Sequence, residues 1–311
     1  MAPKKMKAFV GDAVKGRVFS ENVSTPKVKL GHLLVKVHYS SLNPFDSKLP
    51  GVTVHGKPIG LDLTGVVEEV GEDVSEFSVG DRVFGNALGS LAEYVVCSAK
   101  KVAKIPDSLL FHEAAAIPTT YLTGYQVLQS NGFKSDDKLL IIGASGGCGT
   151  AGVHIAKALN AKEIVGVCSG KNVNFVKNLG ATTVINYENQ NIAEVFGEDY
   201  FDFIYDAIGG ANTADIKKVL KPDGMFVTIA PSASTFARLV VKMQKPKWRT
   251  LITNHSKQDL EAILQLKEES GFEPVIETEL PFSASGLEEG FNRLKSKRTK
   301  GKIIVRVIAE D

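Results

Sequence analysis

Between Leu139 and Leu159 the sequence reads LLIIGASGGCGTAGVHIAKAL. Four apolar residues run into the cluster Gly143, Ala144, Ser145, Gly146, Gly147, Cys148 and Gly149, and the cluster runs into a helical pattern. Glycines let a chain turn tightly and bring its backbone against a pyrophosphate without an intervening Cβ. The helix start that follows offers unsatisfied N–H groups and partial positive charge to an anion. The competing reading is a tight strand-to-helix turn that packs well and binds nothing. The strand-turn-helix setting favours a dinucleotide.

The next strand-like run decides which dinucleotide. It ends CSGKN, Cys168 to Asn172. An NAD enzyme places an acid at this point to accept from the ribose 2′-hydroxyl, and no acid is present in the run. Ser169 can hydrogen-bond a 2′-phosphate and Lys171 can neutralise it, with Asn172 adjoining, so the expected coenzyme is NADPH. The same missing acid argues against an S-adenosylmethionine enzyme.

These residues need a scaffold, and the chain supplies two kinds. KMKAFVG, HLLVKVHY, LTGVVEEVG, DRVFG and AEYVVC are short Val-rich runs bounded by Gly and Asp, a β-rich module ending near Pro106. From Leu139 strand-like runs at 139–142, 163–168, 182–187, 201–208 and 225–230 alternate with helical stretches, which predicts a parallel sheet covered by helices. KPDG at 221–224 reads as a turn before the fifth run, 256–270 as a helix opened by Ser256 and Asp259, and 286–295 as a helix. The fold class is therefore α/β. With 37 basic and 35 acidic residues among 311, nothing favours nucleic acid or an anionic membrane as partner. No apolar run approaches the roughly 18 residues that span a bilayer. The N-terminus lacks the apolar segment of a secretory signal. Three separated cysteines fit a reducing compartment, and a cytoplasmic location is expected, with organellar or peripheral membrane association left open.

SLNPFDSKLPG (41–51), PIGLDLTGVVEEVG (58–71), GDRVFG (80–85), GSLAEYVV (89–96), AAAIPTTYLTGYQVL (114–128), GASGGCG, INY (185–187), YDAIGG (205–210) and GKIIV (301–305) together resemble the zinc-independent quinone oxidoreductase and enone reductase branch of the medium-chain dehydrogenase/reductase superfamily. The resemblance runs over nearly the whole chain and is weakest at 231–250. It implies a discontinuous GroES-like substrate domain (1–117 and 256–311), a Rossmann coenzyme domain (118–255), an active site in the cleft between them, and a homodimer. It also implies reduction of quinones or α,β-unsaturated carbonyls. By family position, Thr123 would lie near the nicotinamide, Tyr187 along the adenosine phosphate, Ile208 and Gly209 close to the adenine or ribose, and Ile229 and Ala230 beside the nicotinamide. Tyr187 also suits a core role in a strand. Where zinc-containing relatives carry Gly-His-Glu this chain has Gly60-Leu61-Asp62, and the four-Cys loop is missing. A zinc site needs about three or four ligands, and the six histidines show no ligand spacing, so no metal is expected.

Without a Lewis acid the acceptor must be electrophilic already. The NPFD run then supplies the candidates: Asn43 as amide donor to a developing oxyanion, Asp46 to orient the loop, and Phe45 to line the substrate cleft. Solvent can supply the proton. Cys148 stands where relatives often carry Val and is read as inert. The alternative is a protein that binds NADPH without turning it over, since fold alone does not decide function.

Overall fold

The computed structural model describes residues 2–12, 16–48, 55–209, 212–230 and 247–308. The chain forms two compact units. The first comprises Met1–Thr119, His255–Ala262 and Pro274–Asp311, and the second Thr120–Asn254 and Ile263–Glu273. Residues 263–273, expected with the first domain, thus cluster with the second. They belong to the helix Lys257–Ser270 and its exit, and Phe272 stacks on Tyr121 and His154 there, with ring centroids 5.1 and 5.3 Å away.

The first unit begins with an antiparallel hairpin of β1 (Lys5–Asp12) and β2 (Gly16–Ser24). Next come β3 (His32–Leu42), the short helix α1 (Pro44–Lys48), β4 (Asp62–Val70), β5 (Arg82–Asn86), β6 (Tyr94–Ser98) and β7 (Val102–Lys104). Helix α2 spans Phe111–Ala115, and α3 (Pro118–Gln129) lies almost wholly in the second unit. Alternating burial along β3 and β4 places Leu33, Val35, Val37, Leu63 and Val67 in one core.

The second unit is built on β8 (Lys138–Ile142), β9 (Glu163–Cys168), β10 (Thr183–Asn186), β11 (Phe201–Asp206), β12 (Leu220–Thr228) and β13 (Lys247–Thr250). They form one parallel sheet in the order β10-β9-β8-β11-β12-β13. The order reverses between β8 and β11, the switch point outside which such sheets bind their ligands. Helix α4 (Gly147–Ala158) follows β8, and α5 (Val173–Leu179) follows β9. Helix α4 is enclosed on all sides over its middle: every residue from Gly149 to Ala156 is buried. KPDG is not a turn outside a strand. Leu220 pairs with Phe201 and Met225 with Phe203, so residues 221–224 form an irregular insertion within β12. The chain then returns to the first unit: β14 (Ile276–Pro281) and β15 (Lys302–Arg306) join its sheet, β15 running antiparallel to β3.

Candidate functional site

In the second unit the residues named from the sequence gather at the carboxyl ends of the strands. The glycines divide into two kinds. Gly143 has φ +81°, and a Cβ there would fall 2.3 Å from Ile208 Cγ2. A Cβ on Gly149 would fall 2.1 Å from Gly143 O, and one on Gly152 2.8 Å from Tyr205 Cε1. These three let loop, helix and sheet approach one another. Gly146, the N-cap of α4, differs: a Cβ there would meet nothing nearer than Gly143 O at 3.6 Å. Its side of the bend leaves room for a ligand at a helix start.

At the end of β9 the structure joins the bend to the turn that carries Ser169, Lys171 and Asn172. Asn172 Nδ2 donates to Ser145 Oγ (3.1 Å) and to Ser169 Oγ (3.3 Å). Asn172 is 5% exposed, and its Oδ1 has no partner among the described residues. A buried acceptor left unpaired is costly, and a ribose hydroxyl is a group of the right chemistry to satisfy it. Lys171, in the same short turn, is exposed. Tyr187 lies past the end of β10, 57% exposed, its N–H donating to Cys168 O at 3.2 Å. It is not a core aromatic. The residues present therefore fit a dinucleotide.

Two features of this region escaped sequence reasoning. Asp206, at the end of β11, accepts from the N–H groups of Ile208 (3.1 Å) and Gly209 (2.9 Å), and from Thr228 Oγ1 (3.1 Å). It ties down the loop that carries Ile208, 59% exposed, over Gly143. Gly209 (φ +73°) lies directly against Ala230, and Ile229 N donates to Asp206 O, so 208–209 and 229–230 form one surface. Aspartate before a glycine loop signals this capping role, which was legible in principle. The second feature is an acid beside the turn after β9. Glu188 Oε2 accepts from Gly170 N at 2.9 Å. It comes from beyond the third strand, so the run after the second strand gave no sign of it. Thr123 is buried, its Oγ1 2.7 Å from Thr253 Oγ1. His154 is packed inside the unit: its Nδ1 lies 2.8 Å from Tyr121 Oη, and burial, with Lys157 assisting, drops its pKa to about 4.

In the first unit a buried polar cluster surrounds Asp62. Its Oδ2 accepts from Ser41 Oγ (2.7 Å), Asn43 Nδ2 (2.9 Å) and Lys302 Nζ (3.1 Å). Its Oδ1 accepts from Asn86 Nδ2 (2.8 Å), Thr119 N (3.1 Å) and the Thr119 hydroxyl. Burial would raise this carboxyl, but the Lys302 ammonium and the hydroxyl and amide donors hold it below the usual range. Lys302 also donates to Leu42 O (3.2 Å) and Asn43 Oδ1 (2.7 Å). Asn43 is 3% exposed with both ends of its carboxamide engaged. Asp46 Oδ2 accepts from Asn43 N at 2.7 Å and closes the first turn of α1. Burial first, and then the Asp62 charge, push its pKa up to about 7 against the pull of the Asn43 amide and Lys302. Phe45 and Asp46 border a groove of about 870 Å³ with Pro58, Ile59 and Leu88. Sequence reasoning missed Lys302, Ser41, Asn86 and Thr119, because only tertiary structure brings four separate segments to the Asp62 carboxylate. Among the described residues no group of three or more His, Cys, Asp or Glu is placed to hold a metal ion.

Residues 29–107 match the alcohol dehydrogenase GroES-like domain family, and residues 179–305 the family described as zinc-binding dehydrogenase. A 2-methylene-furan-3-one reductase of Solanum lycopersicum is 31% identical over 304 residues, 92% of this chain and 74% of that protein. An NADPH-dependent alkenal/one oxidoreductase (chloroplastic) of Arabidopsis thaliana is 29% identical, covering 97% of this chain and 80% of its own length. The solved quinone oxidoreductase of Coxiella burnetii superposes with a TM-score of 0.87 at 26% identity, over 98% of this chain and 100% of that one. No described helix is long and apolar enough to cross a membrane. Likeness of this extent, carried by both units, makes the chain a member of the medium-chain dehydrogenase/reductase superfamily in its quinone oxidoreductase and enone reductase branch, an oxidoreductase that uses a nicotinamide coenzyme.

Proposed function

We propose that the protein is an NADPH-dependent, metal-independent reductase of quinones or α,β-unsaturated carbonyls. The observation that carries the reading is the meeting of Ser145, Ser169 and Asn172 beside the glycine bend, with Lys171 on the adjoining turn and the Asn172 side-chain oxygen unpaired among the described residues. When bound, the coenzyme supplies the hydride, which is the difficult part of the chemistry. The chain's own residues bind and orient. Gly146 and the first turn of α4 receive the pyrophosphate, Ser169 and Lys171 the 2′-phosphate, and Tyr187 flanks the adenosine. Ile208, held by Asp206, and Gly209, Ile229, Ala230 and Thr123 shape the remainder.

The donor chemistry around Asp62 supports metal independence. Its oxygens are taken by neutral donors and by the Lys302 ammonium, which already balances the charge a cation would balance. Asn43, locked between Asp62 and Lys302, serves as a positioning residue for the loop rather than as the oxyanion donor. Asp46 borders the groove and holds a proton near neutrality, so it is the first candidate acid, with solvent as the alternative source. Phe45 offers an apolar wall to a planar acceptor. A homodimer is supported by the edge position of β13, where a second copy can extend the sheet. The buried thiols of Cys97 and Cys168, outside any disulfide, support a reducing compartment, the cytoplasm in our reading.

The test is coenzyme consumption with ortho-quinones, para-quinones and short and long enals, before and after chelation. Turnover of one acceptor class that survives chelation is the expected result. Tight NADPH binding with no turnover of any acceptor assigns the protein to a binding role instead, and activity lost with the metal overturns the mechanism.

A further inference from the structure

We propose that Glu188 sets the coenzyme selectivity of this chain, its carboxylate standing in for the 2′-phosphate at the amide of Gly170. The inference rests on the coenzyme reading above. Gly170 opens the turn after β9 that carries Lys171 and Asn172, and its N–H is given to Glu188 Oε2 at 2.9 Å. The approach is close. A Cβ on residue 170 would lie 3.1 Å from that oxygen and 2.8 Å from Asn186 Nδ2, so glycine is what admits the acid here.

The carboxylate is presented by a braced turn. Glu188 N donates to Asn186 Oδ1 (3.1 Å), Asn186 N to Gln190 Oε1 (2.9 Å), and Tyr187 N to Cys168 O (3.2 Å). Its field reaches the end of β9: the Cys168 thiol is pushed up to about 11 by burial, and the Glu188 charge adds to that.

An amide that already holds one anion is chemically suited to another, and two anions do not share it. A 2′-phosphate drawn in by Lys171 must displace or face the Glu188 carboxylate. A 2′-hydroxyl instead finds an acceptor in it. Lys171 and Glu188 therefore pull in opposite directions, and the chain accepts both coenzymes with a preference weaker than its lysine alone would give.

The experiment is direct titration of the full-length protein with NADPH and with NADH, by coenzyme fluorescence and calorimetry, for wild type, Glu188→Gln and Glu188→Ala. Glu188→Gln keeps an acceptor and removes only the charge; Glu188→Ala removes both, and matching thermal melts show that the fold is intact. Removing one charge a few ångströms from a phosphate at high dielectric is expected to lower Kd for NADPH about tenfold. Kd for NADH stays the same or rises, and the gain shrinks in high salt. An unchanged ratio of the two Kd values in both variants overturns this inference and leaves the coenzyme reading standing. Failure of the wild type to bind either coenzyme overturns both.

Discussion

Each glycine of the bend answers to a different neighbour. Gly149 is required by the fold, because an added Cβ would strike the Gly143 carbonyl. Gly149→Ala is expected to destabilise the protein by about 1–3 kcal/mol through overpacking, read as a lowered denaturation midpoint. Gly146→Ala faces no such neighbour and its φ of −82° suits alanine, so its melting temperature should hold or rise slightly. Its coenzyme affinity should fall, because the methyl group would enter the space proposed for the pyrophosphate. If Gly146→Ala binds NADPH like the wild type, the bend is structural only. The sequence pattern GASGGCG could not separate these roles, since both need glycine and only the neighbour differs.

Among the elements, β4, β15 and the β3–α1 junction meet at Asp62. Lys302→Met would leave that carboxylate buried without its cation. A loss of about 3–5 kcal/mol is expected in urea unfolding, because removing one partner strands the other charge. Asp62→Leu combined with Lys302→Met should recover part of it; no recovery would show that the cation's value lies elsewhere. The α1 turn adds a pH dependence. Asp46 rises from 3.8 unfolded to about 7 folded, so its stabilising contribution is complete below its unfolded value and is lost as pH rises through about 7. Asp62 is shifted the other way, and its contribution is lost as pH falls. Asp46→Asn should flatten the decline between about pH 4 and 7 seen in denaturant midpoints, while leaving the acid limb owed to Asp62. An unchanged profile would remove Asp46 as a proton store. The Asn43 and Asp46 positions were legible because a short polar loop with proline invites a turn. Lys302 was not, since a lysine beside glycine near a chain end reads as solvated.

For the whole molecule the open question is assembly. Among the described residues β13 pairs with β12 alone and stands at an edge of the sheet. Sedimentation should give a dimer, and Thr250→Pro, which removes a donor on the side turned away from β12, should shift it toward monomer. A monomeric wild type would assign that edge to another use. A division of the chain between residues 255 and 256 also meets its limit at this scale. The helix Lys257–Ser270 contributes its first residues to one unit and the rest to the other, a division that no change of composition marks.

Pattern alone determined the α/β class, the five strand runs of the second half, the glycine bend and the polar turn after the second strand, because these depend on neighbours along the chain. Periodicity and turn chemistry are local, and so is a strand-turn-helix motif. Only the tertiary structure decided which glycine leaves room, that Glu188 reaches Gly170 from the next strand, and that Lys302 pairs with Asp62. Those facts depend on which distant residues share a few ångströms of space, and on desolvation there, which gives a charge its sign of effect.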